Sequence, residues 1–409
     1  MERKNTKNIE FTFLYIIAFT LYCLNNFVDR FSLFYFGSYA YIYKALIYLI
    51  WLFIAVFSFR KKTSIYMNIF ICILFIYMFF DIKIGAVAFI TYFLPVIATF
   101  FFFSNCIRSK TQINFIISGL GSFFILSVFY AVFNEIFGYA DFEKEAFNLL
   151  GNLFESDGEI RTRSFFVGEQ TLYIYGISIV VLSFIFRNKY KYIFLLALVA
   201  LSCFHIPKNP LMFVVILISM LFFLKIKFNP MLFHIYFFAN ICILYYFATI
   251  TYLSGVWSLY GSWLYYTPFG APSVITRYEI WDNAISLFFA NPFGYGLGAA
   301  SYVFGNAKII TPHSEYLKAL IELGVLGFCV FYAFLYHIIK MAWLLYIKMK
   351  DNIFLYFIAY IFAFVFISFF NDHFFGNAEK LFFWMITGLI YNFNDKALNG
   401  KFDASIKQK

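Results

Sequence analysis

Apolar runs of roughly 16 to 30 residues recur along the chain, separated by short polar turns, and each is about long enough to cross a bilayer core as a helix. Several runs are rich in Phe, Ile and Tyr, which in water would favour strands. In lipid an unbroken run must satisfy its own backbone hydrogen bonds, and a helix does so within one segment. The chain therefore reads as all-α, a polytopic integral membrane protein of about 12 transmembrane helices. They are expected near 11–28, 40–59, 64–80, 84–105, 112–137, 167–186, 190–206, 209–224, 229–253, 315–347, 352–370 and 380–394. Composition excludes a water-soluble globule: 63% of the 409 residues are hydrophobic, 13% are charged, and the mean hydropathy is +0.80. The first run follows MERKNTKNIE with no small-residue cleavage site behind it, and it reads as a retained span.

Charge sets the expected orientation. With the N-terminus inside, most of the 31 Lys and Arg fall on the inner side, in the N-terminal segment, the turns and the C-terminal tail, where acids are few. The outer loops are net acidic. The positive-inside rule selects this arrangement, with both termini cytoplasmic. The net charge of +10 is thereby a topology signal and calls for no nucleic-acid partner. The six cysteines lie in or beside the spans, so neither a structural disulfide nor a Cys-based metal site is expected.

Two outer loops are long, 138–166 and 254–314, within one membrane domain spanning 1–409. The larger loop is rich in Trp and Tyr, which argues against disorder and for an interfacial cap. Its segment 276–290 puts Ile280, Ala284, Leu287 and Phe288 on one helical face. Asn291-Pro292 then breaks that helix, and Gly294, Gly296 and Gly298 make a tight turn.

Arg277 is the only basic residue between 228 and 307, and a guanidinium is suited to gripping a phosphate bidentately. His313 stands just before a long apolar helix at the outer interface, where an imidazole can exchange a proton near neutral pH. Arg161 and Arg163 end the other long loop, in RTRSFFVGEQ, and Glu169 opens the next span. Two arginines from a second loop would complete a cationic cradle for a pyrophosphate. Lys208, in the outer turn HIPKNP, is a further basic candidate. Asp29-Arg30 and Asn371-Asp372-His373 lie in short outer turns and read as mainly structural. Lys318 and Glu322 are expected to snorkel near a helix end as a helix-face ion pair. There is no Gly-rich phosphate loop, no Ser/His/Asp order and no metal-ligand spacing, so neither cofactor nor metal is expected.

The stretch Arg277…Trp281…Pro292-Phe-Gly294-Tyr-Gly296…His313-Ser-Glu-Tyr-Leu317…Glu322-Leu-Gly324-Val-Leu-Gly327 resembles the signature of the O-antigen ligase/polymerase superfamily. RTRSFFVGEQ resembles that family's arginine-containing entry to a mid-chain span. The chain departs from the family pattern at Ser314, where asparagine is frequent, and at CFHIPKNP, where a Ser-Arg or Ser-Lys pair is frequent. The resemblance implies a GT-C-like glycosyltransferase of the bacterial inner membrane with a periplasmic active site. The implied reaction is metal-independent glycosyl transfer from an undecaprenyl-pyrophosphate-linked oligosaccharide. Arg277, Arg163 and His313 would be catalytic. Arg161, Lys208, Glu169, Trp281, Glu315 and Tyr316 would bind pyrophosphate or glycan. A polymerase joining repeat units, with a chain-length regulator as a possible partner, is the expected activity. A ligase acting on lipid A-core is the alternative, and a lipid-linked-glycan flippase would instead need charges along mid-membrane helices.

Overall fold

The computed structural model describes residues 10–24, 40–59, 65–137, 169–203, 208–226, 230–231, 233–239, 242, 272–303, 312, 314–369 and 378–398. These residues are helical with short connections, and no strand occurs among them. A helix stands at every expected position, the one expected over 229–253 being described in part. In chain order they are α1 (Glu10–Leu24), α2 (Ala40–Ser58), α3 (Ile65–Met78), α4 (Ile82–Ala88), α5 (Leu94–Asn105), α6 (Lys110–Phe137), α7 (Glu169–Ile185), α8 (Lys191–Ser202) and α9 (Lys208–Ile226). Then follow α10 (Pro272–Ala290), α11 (Ala300–Val303), α12 (Glu315–Met349), α13 (Ile353–Ile367) and α14 (Lys380–Leu398).

Among the described residues, three stretches are long and apolar enough to cross a membrane: Ile82–Asn105, Lys110–Asn134 and Glu315–Met349. The others are shorter apolar helices. The apolar surface continues outward as well as inward. On α2, Ile47, Trp51 and Ile54 are buried, while Ile42, Leu46, Leu49, Phe53 and Val56 face out. A helix hydrophobic on both faces belongs in lipid rather than at a water boundary.

The helices cluster into two compact units. The first comprises 1–60, 94–214 and 377–409. In it α5 packs between α2 and α14, and α6, α7 and α8 pack on one another. Tyr15 stacks on Phe102 with ring centroids 4.4 Å apart. Asn392 of α14 donates through Nδ2 to the carbonyls of Phe103, Ser104 and Ile107, at 3.1, 3.0 and 2.9 Å. It thereby meets acceptors that the C-terminus of α5 would otherwise leave open inside an apolar core.

The second unit comprises 61–93 and 215–376. Its axis is α12, which packs against α3, α10 and α13. Phe233 and Phe237, from the helical segment 233–239, join Tyr316, Tyr332, Phe362 and Phe369 in an aromatic cluster. Asp81 starts α4 as its N-cap, its Oδ1 accepting from the backbone N–H groups of Lys83 (3.0 Å) and Ile84 (3.2 Å). Between α4 and α5 the chain loosens into a π-helical turn, Phe89–Phe93. Such turns occur mostly as single insertions, frequently near functional sites.

Candidate active site at the start of the long helix

The motif region of the sequence folds as an interlock between a glycine turn and a broken helix. α10 ends at Ala290, and the Nδ2 of the next residue, Asn291, donates to the Gly294 carbonyl at 2.8 Å while the Gly294 N–H donates back to the Asn291 carbonyl at 3.0 Å. Pro292 cannot continue the helix, and Gly294 takes a positive φ of 87° that closes the turn. Opposite it, α12 is not one regular helix. At Gly324 the backbone adopts φ 60° and ψ −167°, which separates a first segment, 315–323, from the rest.

The break exposes carbonyls and N–H groups that must be met inside an apolar protein. The glycine turn meets them. Tyr295 N–H donates to Ile321 O at 2.8 Å, Gly296 N–H to Glu322 O at 3.0 Å, and Val325 N–H to Pro292 O at 2.9 Å. Contact is backbone on backbone: a Cβ on Gly324 would lie 2.4 Å from the Phe293 carbonyl carbon, and one on Gly294 2.6 Å from Gly324 N. From α3, Tyr77 Oη donates to Phe293 O at 2.7 Å, and its own carbonyl accepts from Leu297 N–H at 3.2 Å. The turn is therefore fixed from two sides.

A further tie lies beyond the turn. Trp281, on α10, is 2% exposed, and its Nε1 donates to the Pro312 carbonyl at 2.9 Å. Pro312 immediately precedes His313. Ile280 and Ala284 are buried beside Trp281 in the helix, whereas Asp282 and Asn283 face out, so the apolar face expected for this segment is the packed one. Arg277 lies one turn before Trp281 in α10.

The first turns of α12 are held by α13. Glu315 N–H donates to Ser368 O at 3.0 Å, Tyr316 Oη donates to Val365 O at 3.0 Å, and the Tyr316 ring stacks on Phe369 at 4.0 Å. Glu315, Lys318 and Glu322 are all buried. The snorkelling expected for Lys318 and Glu322 is thus corrected: both point into the second unit, because packing on α12 leaves their face no route to solvent. Lys318 Nζ sits 4.9 Å from the ring centroid of Tyr92, in the π-helical turn.

Of the residues singled out in the sequence, Trp281, Glu315 and Tyr316 converge on this end of α12. Trp281 and Tyr316 do so as buried tethers with their polar atoms on backbone carbonyls, so neither ring presents an open stacking face. For Arg277, Lys208 and Glu169 the structure describes the backbone positions alone, in α10, α9 and α7. His313, Arg161 and Arg163 lie outside the described residues, as do the loop 138–166, Asp29-Arg30 and Asn371-Asp372-His373.

Sequence reasoning missed Glu379 and Lys380, at the start of α14 in the first unit. Both are fully buried, with Lys380 Nζ 5.3 Å from the ring centroid of Tyr22. The signal was available, since an Ala-Glu-Lys run opening an apolar helix sets two charges at a membrane boundary, where buried ionisable groups are costly unless used. No protein-family model matches the chain, and no curated protein matches it either.

Proposed function

We propose that this chain is a glycosyltransferase that joins undecaprenyl-pyrophosphate-linked oligosaccharide repeat units at the outer face of a bacterial inner membrane, as an O-antigen-type polymerase. The observation that carries this reading is the Trp281–Pro312 hydrogen bond. It fastens the helix whose backbone carries Arg277 to Pro312, the residue before His313 in sequence, and so supports reading the two positions as parts of one site.

The reaction makes three demands. The pyrophosphate leaves with its charge, so cations must meet it: Arg277 would supply a fork-shaped contact, with Arg163 and Arg161 as the further cations that the family resemblance implies. An acceptor sugar hydroxyl attacks the anomeric carbon, a new C–O bond forms, and the bond to the pyrophosphate oxygen breaks. The hydroxyl proton passes to His313 as general base. The polyprenyl tail would rest in lipid beside the helices.

Buried charge also bears on the transporter alternative. Among the described residues the buried charged side chains are Glu315, Lys318, Glu322, Glu379 and Lys380. They gather in the first two turns of α12 and at the start of α14, which are outer ends in the orientation set by charge. A substrate path through the membrane would place such groups along the spans.

Arg277→Ala and His313→Ala are each expected to abolish glycan transfer while leaving protein level and membrane insertion intact. Arg277→Lys is expected to remain poor, because an ammonium lacks the bidentate geometry. Near-normal transfer by His313→Ala, assayed with the lipid-linked repeat unit, would remove the general-base assignment.

A further inference from the structure

The turn between α7 and α8, Arg187-Asn188-Lys189-Tyr190, joins two apolar helices with a charged and firmly held link. Arg187 adopts a left-handed conformation, with φ 52°. Its N–H donates to Phe184 O at 3.2 Å, and Asn188 N–H donates to Ser183 O at 2.8 Å. That pattern closes many helices, usually with glycine at the left-handed position. An arginine there carries a steric cost that glycine does not. Asn188 locks the turn. It is buried, its Nδ2 donates to Asn114 O and Ser118 Oγ, both at 3.0 Å, and its Oδ1 accepts from Tyr190 N–H at 2.9 Å. Asn114 and Ser118 belong to α6, so the turn is fastened to the neighbouring helix. A strained residue persists only where its surroundings hold it, and it points to a use for the side chain it carries.

Arg187 and Lys189 are exposed and Lys191 is half-buried. Lys189 Nζ lies 4.7 Å from the ring centroid of Tyr190, and Lys191 Nζ lies 4.9 Å from that of Tyr192 and 5.2 Å from that of Phe184. The aromatic faces hold both ammonium groups beside the turn. No acidic residue occurs in the sequence between Glu169 and Glu279. Arg108 and Lys110, at the start of α6, add positive charge at the same end, where the described acids are Glu10 on α1 and Asp395 on α14. Directly beyond the charges, α8 presents Tyr192, Leu196 and Val199 along one face, all three exposed. Cations that run straight into an exposed apolar face fit an amphiphile. A soluble polyanion would leave that face unmet. In the orientation set by charge this turn is cytoplasmic, on the side where anionic lipids attract basic segments.

We propose that the α7–α8 turn binds the headgroup of an anionic phospholipid of the cytoplasmic leaflet. The planar guanidinium of Arg187 takes the phosphate oxygens, Lys189 and Lys191 add their charge, and the acyl chains lie along Tyr192, Leu196 and Val199. This lipid site is separate from glycosyl transfer at the outer face and does not depend on it.

The test uses the purified full chain in detergent, with bound lipid counted by native mass spectrometry. The probes are phosphatidylglycerol, phosphatidylcholine with the same acyl chains, and glycerol phosphate. The wild type is expected to prefer phosphatidylglycerol over phosphatidylcholine by about tenfold, and to bind glycerol phosphate far more weakly. Arg187→Gly suits the left-handed backbone, so it is expected to melt at the same temperature as the wild type or higher. It is expected to bind phosphatidylglycerol roughly threefold to tenfold more weakly, with phosphatidylcholine unchanged. The double variant Lys189→Gln, Lys191→Gln is expected to shift binding in the same direction. Lys348→Gln, which removes an exposed charge on α12, is expected to change nothing; an equal effect there would reduce the result to net charge and overturn the site. A lowered melting temperature for Arg187→Gly would assign the arginine to the fold and overturn the proposal. Equal weakening toward both lipids, or unchanged binding of phosphatidylglycerol by both turn variants, would also overturn it. Glycerol phosphate bound as tightly as phosphatidylglycerol would make the turn an anion site with no lipid role.

Discussion

A single indole nitrogen ties the two halves of the candidate site together. Trp281 Nε1 donates to the carbonyl of Pro312, and a buried carbonyl that loses its donor carries the cost of an unmet polar group. Trp281→Phe keeps the bulk and removes the donor. It is expected to lower stability by about 1 kcal/mol, read as a small drop in melting temperature. On the proposed reading transfer should fall far more, by roughly tenfold to a hundredfold in kcat, because the tie between α10 and Pro312 would be lost. Unchanged kcat would show that the tie does not position the site. Trp281 was conspicuous in the sequence, yet as an aromatic for stacking on sugar. Its partner is a backbone carbonyl, which leaves no mark in the residue alphabet, so its tethering role became legible only in three dimensions. Ser314 was equally hard to read. A serine before a helix announces a cap, and only the structure reveals a cap whose hydroxyl makes no bond.

The elements themselves were largely legible, since long apolar runs admit little but helix once lipid is the solvent. The glycines in PFGYGLG were visible as a turn and those in ELGVLG as part of a helix. What could not be read was that each needs the other. The break at Gly324 frees backbone groups that the turn at Pro292–Gly296 satisfies, and that pairing joins residues about thirty positions apart. The burial of Lys318 and Glu322 was missed for a related reason. Spacing along a helix gives the pair, but burial depends on which neighbours cover that face. Gly324→Ala is expected to be severe, because a Cβ would both force φ 60° and enter the Phe293 backbone. A loss on the order of 3 kcal/mol follows from strain plus overpacking, measured as a large fall in melting temperature with loss of transfer. A tolerated alanine would show that the interlock is loose. Ala300→Gly, in the four-residue helix α11 beyond the turn, should have little effect by comparison.

For the whole molecule, the first two turns of α12 and the start of α14 carry all the buried charge found among the described residues, one stretch in each compact unit. The proposed site has meaning only if the chain is oriented as its basic turns require. In a background lacking the six native cysteines, Asp157→Cys should react with a membrane-impermeant maleimide applied from outside, and Lys401→Cys only after permeabilisation. The reverse pattern would put the proposed site on the wrong side of the membrane for a lipid-linked donor exported to the periplasm. The most direct measurement of function is transfer itself, by purified protein in liposomes supplied with the undecaprenyl-pyrophosphate-linked repeat unit, with and without lipid A-core. A ladder of longer glycans on the carrier, formed without lipid A-core, is the expected result. Product only on lipid A-core would identify a ligase, and no transfer by folded protein given its own repeat unit would contradict glycosyl transfer altogether.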